Sequence, residues 1–240
     1  MQNRYVGDIG DFAKYSLLNA LSKGKNLGVA WYLYPDEGHN NDGKHTKYLH
    51  YPEQWRSRSP RVFDGLHKLV QTGTRNVGSV VQEGIIKPAA VADECLHFVS
   101  PRRAEKELWR KQWFDRVRER LENCDMIFAD PDNGLCQNEK FKGGSSKDWK
   151  RLPLEEAKSL SEGRIAIFYH HNSRFKGGHE LENKYWAKNL EHCTFSVRFR
   201  AYSARTFFVV NADTNVISAA KLWTKAMGSK AEFMMHTSNE

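Results

Sequence analysis

The sequence predicts an α/β protein with a Rossmann-like, mostly parallel sheet, helices on both faces of that sheet and a C-terminal antiparallel hairpin. Three observations predict this fold. Short apolar runs alternate along the chain with longer segments of helical periodicity. The runs are rich in β-branched and aromatic residues, which is typical of strands covered on both faces. The last two runs follow each other so closely that they predict a hairpin at one edge of the sheet.

The first quarter of the chain predicts a helix, a strand and an irregular segment. Apolar residues recur at helical spacing over 11–24, and Gly24 is the expected C-terminal cap. The run NLGVAWYLY then predicts the first core strand, which ends before Gly38. The stretch from about 38 to 60 is polar, aromatic and basic without a clean period. We therefore expect an irregular surface segment there.

The second quarter predicts two helices and one short strand. The pattern is helical over 61–70, and NVGSVVQEGII, at 76–86, predicts a short strand and a turn. The clearest helix spans 100–124, with Pro101 near its start. Its apolar stripe, opposite a strongly basic face, consists of Leu108, Trp109, Trp113, Val117 and Leu121.

The remaining elements alternate between strand and helix. DMIFAD predicts a second buried strand, followed by a loop rich in glycine, serine and lysine. LPLEEAKSLSEG predicts a helix, and RIAIFYHHNS predicts a third buried strand. The helical segment HELENKYWAKNLEH precedes the two hairpin runs, TFSVRFRAYS and RTFFVVNAD. Helices between the three buried strands indicate that these strands are parallel.

The size and composition of the chain predict one domain over 1–240, because 240 residues with 40% hydrophobic content suffice for one sizeable core. The formal charge of +8 favours nucleic acid as a partner, although a soluble basic surface accounts for it equally well. The four cysteines are too scattered for a zinc site or a disulfide framework. With no signal pattern and no apolar run that spans a bilayer, we expect a cytoplasmic protein without a membrane partner.

Polar side chains follow each of the three predicted buried strands. The carboxyl ends of parallel strands meet at one edge of a sheet, which is where ligands bind in open α/β folds. One such strand end is ordinary turn chemistry, but three in one chain favour a functional site. The side chains concerned are Asp36, Glu37 and His39 after the first strand, Asp130, Asp132 and Asn133 after the second, and His170, His171 and Asn172 after the third.

Two short motifs resemble a known enzyme family. VGDIGDFAKY, at 6–15, aligns without a gap with the segment AGNFADVLKH of the large-subunit ribosomal RNA adenine-N6 methyltransferases, and Gly7, Asp11 and Lys14 are identical. DPDN, at 130–133, is similar to the catalytic motif of amino-methylating enzymes, with an aspartate and an amide in place of the second proline and the aromatic ring. The chain thus resembles the class I S-adenosylmethionine-dependent methyltransferase superfamily.

The resemblance implies a seven-stranded sheet with a terminal hairpin, S-adenosylmethionine as cofactor and a nucleic-acid base as substrate. Asp130 would accept hydrogen bonds from the target amine of a flipped base, and Asn133 would occupy the base-contact position. The catalytic set that we assign to this edge also includes Asp132 and His170. Adjacent residues of a strand point to opposite faces, so only one of the two neighbouring histidines belongs to the site. The cofactor pocket would be formed by Asp11, Lys14, Asp36 and Gly38.

The chain also resembles an uncharacterised bacterial family whose members begin GDxGDxxKYxLL and carry the motifs PDEG, NDG and DPDNG. This match extends over most of the strand-end motifs. It implies no particular activity.

Two alternatives to methyl transfer remain open at this point. Asp36, Asp130 and Asp132 together would form an oxygen-rich site for Mg²⁺ or Mn²⁺, which would serve a nuclease or phosphohydrolase. The other alternative is a catalytically inactive nucleic-acid-binding module. It would use the basic face of the helix at 100–124, although such a face is more often simply solvated.

Overall fold

A computed structural model of the protein describes residues 1–38 and 43–236. These residues form a seven-stranded mixed sheet with helices on both faces, and a separate two-stranded sheet. The α/β fold class predicted from the sequence is confirmed. In chain order, the strands are β1 (Leu27–Trp31), β2 (Ala90–Ala92), β3 (Met126–Asp130), β4 (Leu135–Cys136), β5 (Leu152–Pro153), β6 (Ile165–His171), β7 (Cys193–Phe199), β8 (Arg205–Val210) and β9 (Ala231–Met235).

The α-helices connect these strands and cover the sheet. Three short 3-10 turns supplement them in the first quarter of the chain, at 3–5, 47–50 and 56–58. The α-helices are α1 (Ile9–Leu21), α2 (Pro52–Trp55), α3 (Pro60–Thr72), α4 (Val77–Gln82), α5 (Arg103–Arg120), α6 (Ser146–Trp149), α7 (Leu154–Ser161), α8 (Gly178–Asn189) and α9 (Thr214–Met227).

The large sheet has the strand order β2-β1-β3-β6-β8-β7-β9. Its first four strands are parallel to one another, which confirms the predicted parallel core. The last three pair antiparallel, as β6 with β8, β8 with β7, and β7 with β9. The predicted hairpin is thus formed by β7 and β8, and β8 inserts between β7 and the parallel strands. The carboxyl ends of β1, β3 and β6 therefore lie at the same edge as the start of β8.

Two apolar clusters cover the two faces of the sheet. The strands contribute alternate residues to them, because successive side chains of a strand point to opposite faces. Phe128 of β3 packs in the cluster beneath α1, α3 and α9, whereas Ile127 and Ala129 pack in the cluster beneath α5, α7 and α8. Both faces of the central strands are buried, which explains the continuous apolar runs in the sequence.

Helix α1 brings its N-terminal end to the carboxyl edge of the sheet, because its C-terminal end leads directly into β1. The helix begins at Asp8, whose side chain accepts a hydrogen bond from the backbone nitrogen of Gly10. It packs against α3 and α9 and is almost entirely buried. Asp11 and Lys14, three residues apart, therefore project from one face of its first turn and a half.

The structure corrects three of the predictions for local structure. The segment at 76–86 contains helix α4 and no strand, because Asn76 caps a helix whose Val77 and Val80 are buried on one side. The part of the 38–60 segment that is described, from 43 onward, contains helical turns in place of the predicted irregular chain. Its Tyr48 and Trp55 are buried in the core. Helix α9 and strand β9 had no counterpart in the predictions.

Helix α5 also differs in detail from its predicted stripe. Trp113, Val117 and Leu121 are buried as expected, but Leu108 is exposed and Arg110 is buried. The remaining arginines of this helix are exposed, and several pair with acidic neighbours, as Arg116 does with Glu94. Within 1–38 and 43–236, no helix combines the length and apolar character that a membrane crossing requires.

Candidate functional site

A polar cavity of about 480 Å³ opens at the carboxyl edge of the sheet. Its volume lies in the range of small-molecule sites, roughly 300–1,000 Å³. The walls come from the N-terminal end of α1, the segments that follow β1 and β3, the end of β6 and the start of β8. Five of the side chains predicted for the site line this cavity, namely Asp11, Lys14, Asp130, Asp132 and Asn133.

Two residues predicted to follow β1 into the site do not line the cavity. Asp36 is exposed, and its Oδ1 atom accepts a hydrogen bond from the backbone nitrogen of Arg4 at 3.1 Å. Gly38 is also exposed and lies outside the walls. Strand β1 ends at Trp31, so the chain has left the sheet before it reaches these residues. Glu37 occupies the cavity wall in their place. His39 lies outside the described residues.

The prediction for the two histidines selected the wrong one. His170 is buried away from the cavity, where its Nδ1 atom accepts a hydrogen bond from the backbone nitrogen of Leu135 at 3.0 Å. Its Nε2 atom lies 3.2 Å from Glu182 Oε1. Strand β6 continues through both histidines, so His171 points to the opposite face and lines the cavity. His170 is therefore a structural residue.

Lys14 joins two carboxylates that come from distant parts of the chain. Its Nζ atom lies 2.9 Å from Asp11 Oδ1 and 2.6 Å from Asp130 Oδ2, and all three side chains are buried. Burial alone lowers the pKa of Lys14, but the two carboxylates outweigh it and raise that pKa above its ordinary value. Lys14 is thus a permanent cation and cannot act as a base. The pKa of Asp11 is raised to about 6, because burial outweighs the attraction of Lys14.

Two further residues of the cavity extend this network toward β8. Tyr169, the residue before His170 on β6, has its ring centroid 5.0 Å from Lys14 Nζ. Burial raises the pKa of Tyr169 to about 12, against the opposing influence of the Arg205 and Lys14 charges. Arg205 begins β8 and was not predicted as a site residue. The signal that would have identified it is its position, since the start of an antiparallel strand lies beside the carboxyl ends of parallel neighbours.

A chain of polar contacts crosses from the segment after β1 to the segment after β3. The amide nitrogen of Gln2 lies 2.9 Å from Glu37 Oε2 and 2.9 Å from Asp132 Oδ2. Lys150 donates to Glu37, and its Nζ atom lies 4.4 Å from the ring centroid of Tyr34. The backbone nitrogen of Asn133 donates to the Lys150 carbonyl at 2.8 Å. These contacts fix the acidic wall of the cavity.

The cavity walls carry more acidic than basic groups, although the chain as a whole is basic. Among the described residues, the wall contains five carboxylates and three side chains with a fixed positive charge. The carboxylates are Asp8, Asp11, Glu37, Asp130 and Asp132. The positively charged side chains are Lys14, Lys150 and Arg205. Fixed charges of both signs in a partly enclosed space favour a ligand that carries both signs itself. An amine or sulfonium group suits the acidic side, and an anionic group suits the basic side.

The three carboxylates of the metal alternative do not converge. Asp130 and Asp132 line the cavity, and Asp36 does not. Across the part of the chain that the structure describes, no group of three or more His, Cys, Asp or Glu side chains has the arrangement of a metal site. The Mg²⁺ or Mn²⁺ site at these three residues remains a prediction from the sequence.

Comparison with known proteins adds no assignment to this geometry. No model of a known protein family matches the chain, and no curated protein matches it either. The cavity itself is accordingly the basis for the functional proposals that follow.

Proposed function

We propose that the cavity is the active site of a methyltransferase, which transfers a methyl group from S-adenosylmethionine to an amino group of a nucleic-acid base. One observation carries this proposal. The carboxylate of Asp130, at the end of β3, lies in the cavity wall together with Asn133 and with the Asp11–Lys14 pair of α1. These are the residues that the two sequence motifs contribute, and the fold brings them to one place.

Asp130 is suited to accept a hydrogen bond from an amine. The Nζ atom of Lys14 lies 2.6 Å from the Oδ2 atom of Asp130, which fixes the orientation of the carboxylate. The Oδ1 atom would then accept the hydrogen bond from the target amine. A carboxylate that accepts a hydrogen bond from an amino group contacts the N–H and not the nitrogen lone pair. The lone pair can then point toward the methyl donor. Asn133 lies two residues after Pro131 and lines the same wall. Its side-chain amide can donate a hydrogen bond to the edge of a base or accept one from it.

The acidic side of the cavity fits the amino-acid end of S-adenosylmethionine. That end carries an ammonium and a carboxylate group and is joined to the sulfonium, and the wall carboxylates complement the two positive charges. Asp11, Glu37 and Lys14 would hold it, with Glu37 in the role first assigned to Asp36. The chemistry that the bound cofactor supplies is an electrophilic methyl group. Tyr32 and Leu33 are buried directly after β1, so the ligand space lies over β3 and β6.

The charge of the whole chain supports a nucleic-acid substrate. A formal charge of +8 attracts a polyanion, because Lys and Arg release condensed counterions from the phosphates that they contact. The exposed arginines of α5 contribute to this charge. Binding through such contacts weakens steeply as salt is added, which gives the substrate class a direct test.

Calorimetry and a transfer assay test the proposal together. S-adenosylhomocysteine should bind saturably, and the protein should transfer labelled methyl groups from S-adenosylmethionine to RNA or DNA. Asp130→Asn should reduce transfer by at least about 100-fold, the usual loss when one preorganised polar contact to the reacting group is removed. Asp93→Asn, which changes an exposed carboxylate after β2, should leave transfer unchanged.

Failure of S-adenosylhomocysteine to bind would reject the methyltransferase. Retention of salt-sensitive RNA or DNA binding in that case would indicate the inactive binding module. Full transfer activity in Asp130→Asn would remove Asp130 from the mechanism even if the cofactor binds.

A further inference from the structure

We propose that Arg205 binds an anionic group, a carboxylate or a phosphate, of the molecule that occupies the cavity. This subsite would belong to the same cavity as the proposed function, and it rests on that function only in requiring that the cavity binds a ligand. It adds a basic subsite to the cavity wall. In the sequence, Arg205 is only the first residue of the hairpin run RTFFVVNAD, and no functional role was assigned to it.

The guanidinium of Arg205 is buried without a matching carboxylate. The residue is 3% exposed and lines the cavity. Its Nη2 atom donates to the Ser203 hydroxyl, but Nε and Nη1 have no hydrogen-bond partner among the described residues. A guanidinium carries five N–H donors and keeps its charge at all ordinary pH values. Buried donors and charges that lack partners are costly, so a buried arginine of this kind calls for an anion.

The other buried arginine among the described residues has a carboxylate partner within the protein. Arg110 of α5 is 1% exposed, and it too has nitrogens without partners. Its Nη2 atom, however, lies 2.8 Å from the Glu156 carboxylate, and the Tyr32 hydroxyl donates to that same carboxylate at 2.8 Å. The charge of Arg110 is therefore balanced within the protein. No described acidic side chain forms the equivalent salt bridge with Arg205.

The neighbours of Arg205 hold its guanidinium in place at the cavity wall. The Cζ atom of Arg205 lies 5.9 Å from the ring centroid of Phe199. The charge of Arg205 also lowers the pKa of Tyr169, against the larger effect of burial. On its other side, the Nη1 atom lies against Gly10. A Cβ atom added at Gly10 would lie 2.5 Å from Nη1, so only glycine leaves this space open. Asp8, which caps α1 and lines the same cavity, accepts hydrogen bonds from the backbone nitrogens of Gly10 and His45.

The cavity wall carries two kinds of charged group. Asp11 and Asp130 are held by Lys14, whereas Arg205, at the start of β8, has no carboxylate partner among the described residues. A ligand with a cationic and an anionic group can contact both kinds at once. A carboxylate would come from the amino-acid end of the cofactor, and a phosphate would come from the nucleotide substrate. A planar carboxylate and a tetrahedral phosphate each present two oxygens that a guanidinium binds through two parallel hydrogen bonds.

Two pairs of compounds distinguish these sources by calorimetry. S-adenosylhomocysteine is compared with its decarboxylated analogue, which keeps the amine, and adenosine monophosphate is compared with adenosine. In at least one pair, the wild-type protein should bind the compound that carries the carboxylate or phosphate about tenfold or more tightly than the compound that lacks it. Arg205→Gln should abolish that preference. The pair whose preference disappears identifies the anion as carboxylate or phosphate.

Two further variants and a control separate binding from folding. Gly10→Ala retains the charge but displaces the guanidinium, and it should weaken the preference for the anionic compound as well. Arg198→Gln removes the same charge from the neighbouring strand β7, where Arg198 pairs with Glu232, and it should leave the preference unchanged. If Arg205→Gln does not fold, Arg205→Lys and Gly10→Ala carry the test.

Inorganic phosphate and acetate keep the inference testable without any nucleoside. In thermal unfolding at matched ionic strength, one of these ions should stabilise the wild-type protein more than chloride does, and it should not stabilise Arg205→Gln. That result without S-adenosylhomocysteine binding would support the anion subsite while rejecting the methyltransferase. An anion preference that is absent from the wild type, or equal in wild type and Arg205→Gln, would overturn the inference.

Discussion

The Nζ atom of Lys14 lies 2.6 Å from the Oδ2 atom of Asp130, a residue 116 positions further along the chain. This contact joins the first helix to the end of the central strand β3. It also connects the two sequence motifs, because Lys14 belongs to GDIGDFAKY and Asp130 begins DPDN. The same ammonium group binds Asp11, so that one buried cation serves two carboxylates.

Loss of this cation should destabilise the fold strongly. Lys14→Met leaves two buried carboxylates without their partner, and we expect the free energy of unfolding at pH 7 to fall by about 3–5 kcal/mol. Lys158→Met removes an exposed lysine that pairs with Glu191, and it should change the free energy of unfolding far less, because solvent screens that pair. Urea unfolding of both variants measures the difference. Equal losses would show that the Lys14 network contributes nothing special to stability.

The pKa of Asp11 should be close to 6, and it should depend on Lys14. Burial raises this pKa, and Lys14 lowers it. Carbon-detected NMR of the carboxyl group should therefore show Asp11 titrating near pH 6 in the wild type and at a higher pH in Lys14→Met. Because the folded state binds the proton more tightly than the unfolded state, Asp11 makes stability fall as pH rises from about 4 to about 6. An Asp11 signal that titrates near pH 4 in the wild type would contradict this.

Glu182 should contribute stability that is lost in acid. Burial tends to raise the pKa of this carboxyl, but hydrogen bonds from His170, Ser173 and Asn172 outweigh it and lower the pKa from 4.5 to about 2. A carboxyl with a depressed pKa stabilises the fold above its unfolded value, and the contribution disappears as pH falls toward 2. The loss amounts to roughly 3 kcal/mol between pH 5 and pH 2.

Glu182→Gln should flatten this part of the stability profile. Glu180→Gln, on the same helix, changes an exposed residue that pairs with Lys184 and should retain the acid dependence of the wild type. Chemical unfolding at several pH values compares the two variants. An unchanged slope in Glu182→Gln would mean that other carboxyl groups cause the loss in acid.

The central sheet could be predicted from the sequence because its strands are buried on both faces. Continuous apolar runs identify β1, β3 and β6, and the helices between them require parallel pairing. That pairing places the strand ends together, which is why Asp130 and Asn133 line the same cavity as Asp11 and Lys14. Helix α4 was missed because its apolar segment is too short for length or periodicity to distinguish a helix from a strand.

The site assignments that failed were each wrong by one or two residues. Glu37 lines the cavity and Asp36 does not, while His171 lines it and His170 does not. Side chains of an extended chain alternate between faces, so a shift of one position reverses the side on which a residue lies. The sequence does not specify at which residue β1 ends, or which residues of β6 face each side of the sheet. Arg205 was missed because an antiparallel strand, with no polar motif, delivers it to the edge.

The turn after DPDN should tolerate no side chain at Gly134. Its φ of +67° favours glycine, and an added Cβ atom would lie 2.4 Å from the Nδ1 atom of His170. Gly134→Ala therefore combines backbone strain with a collision against a ring held by Leu135 and Glu182. We expect a loss of about 2–5 kcal/mol, since the left-handed conformation costs about 1–2 kcal/mol and overpacking costs about 1–3 kcal/mol.

Gly163→Ala is the matched control for this prediction. Gly163 has nearly the same φ, +68°, but nothing lies within 4 Å of its added Cβ atom. This variant should lose only the backbone contribution, about 1–2 kcal/mol. The difference between the two variants in urea unfolding then measures how rigidly His170 is held beneath the site. Equal losses would mean that the ring moves aside at no cost, so that the His170–Glu182 contact does not fix the wall from which Asp130 projects.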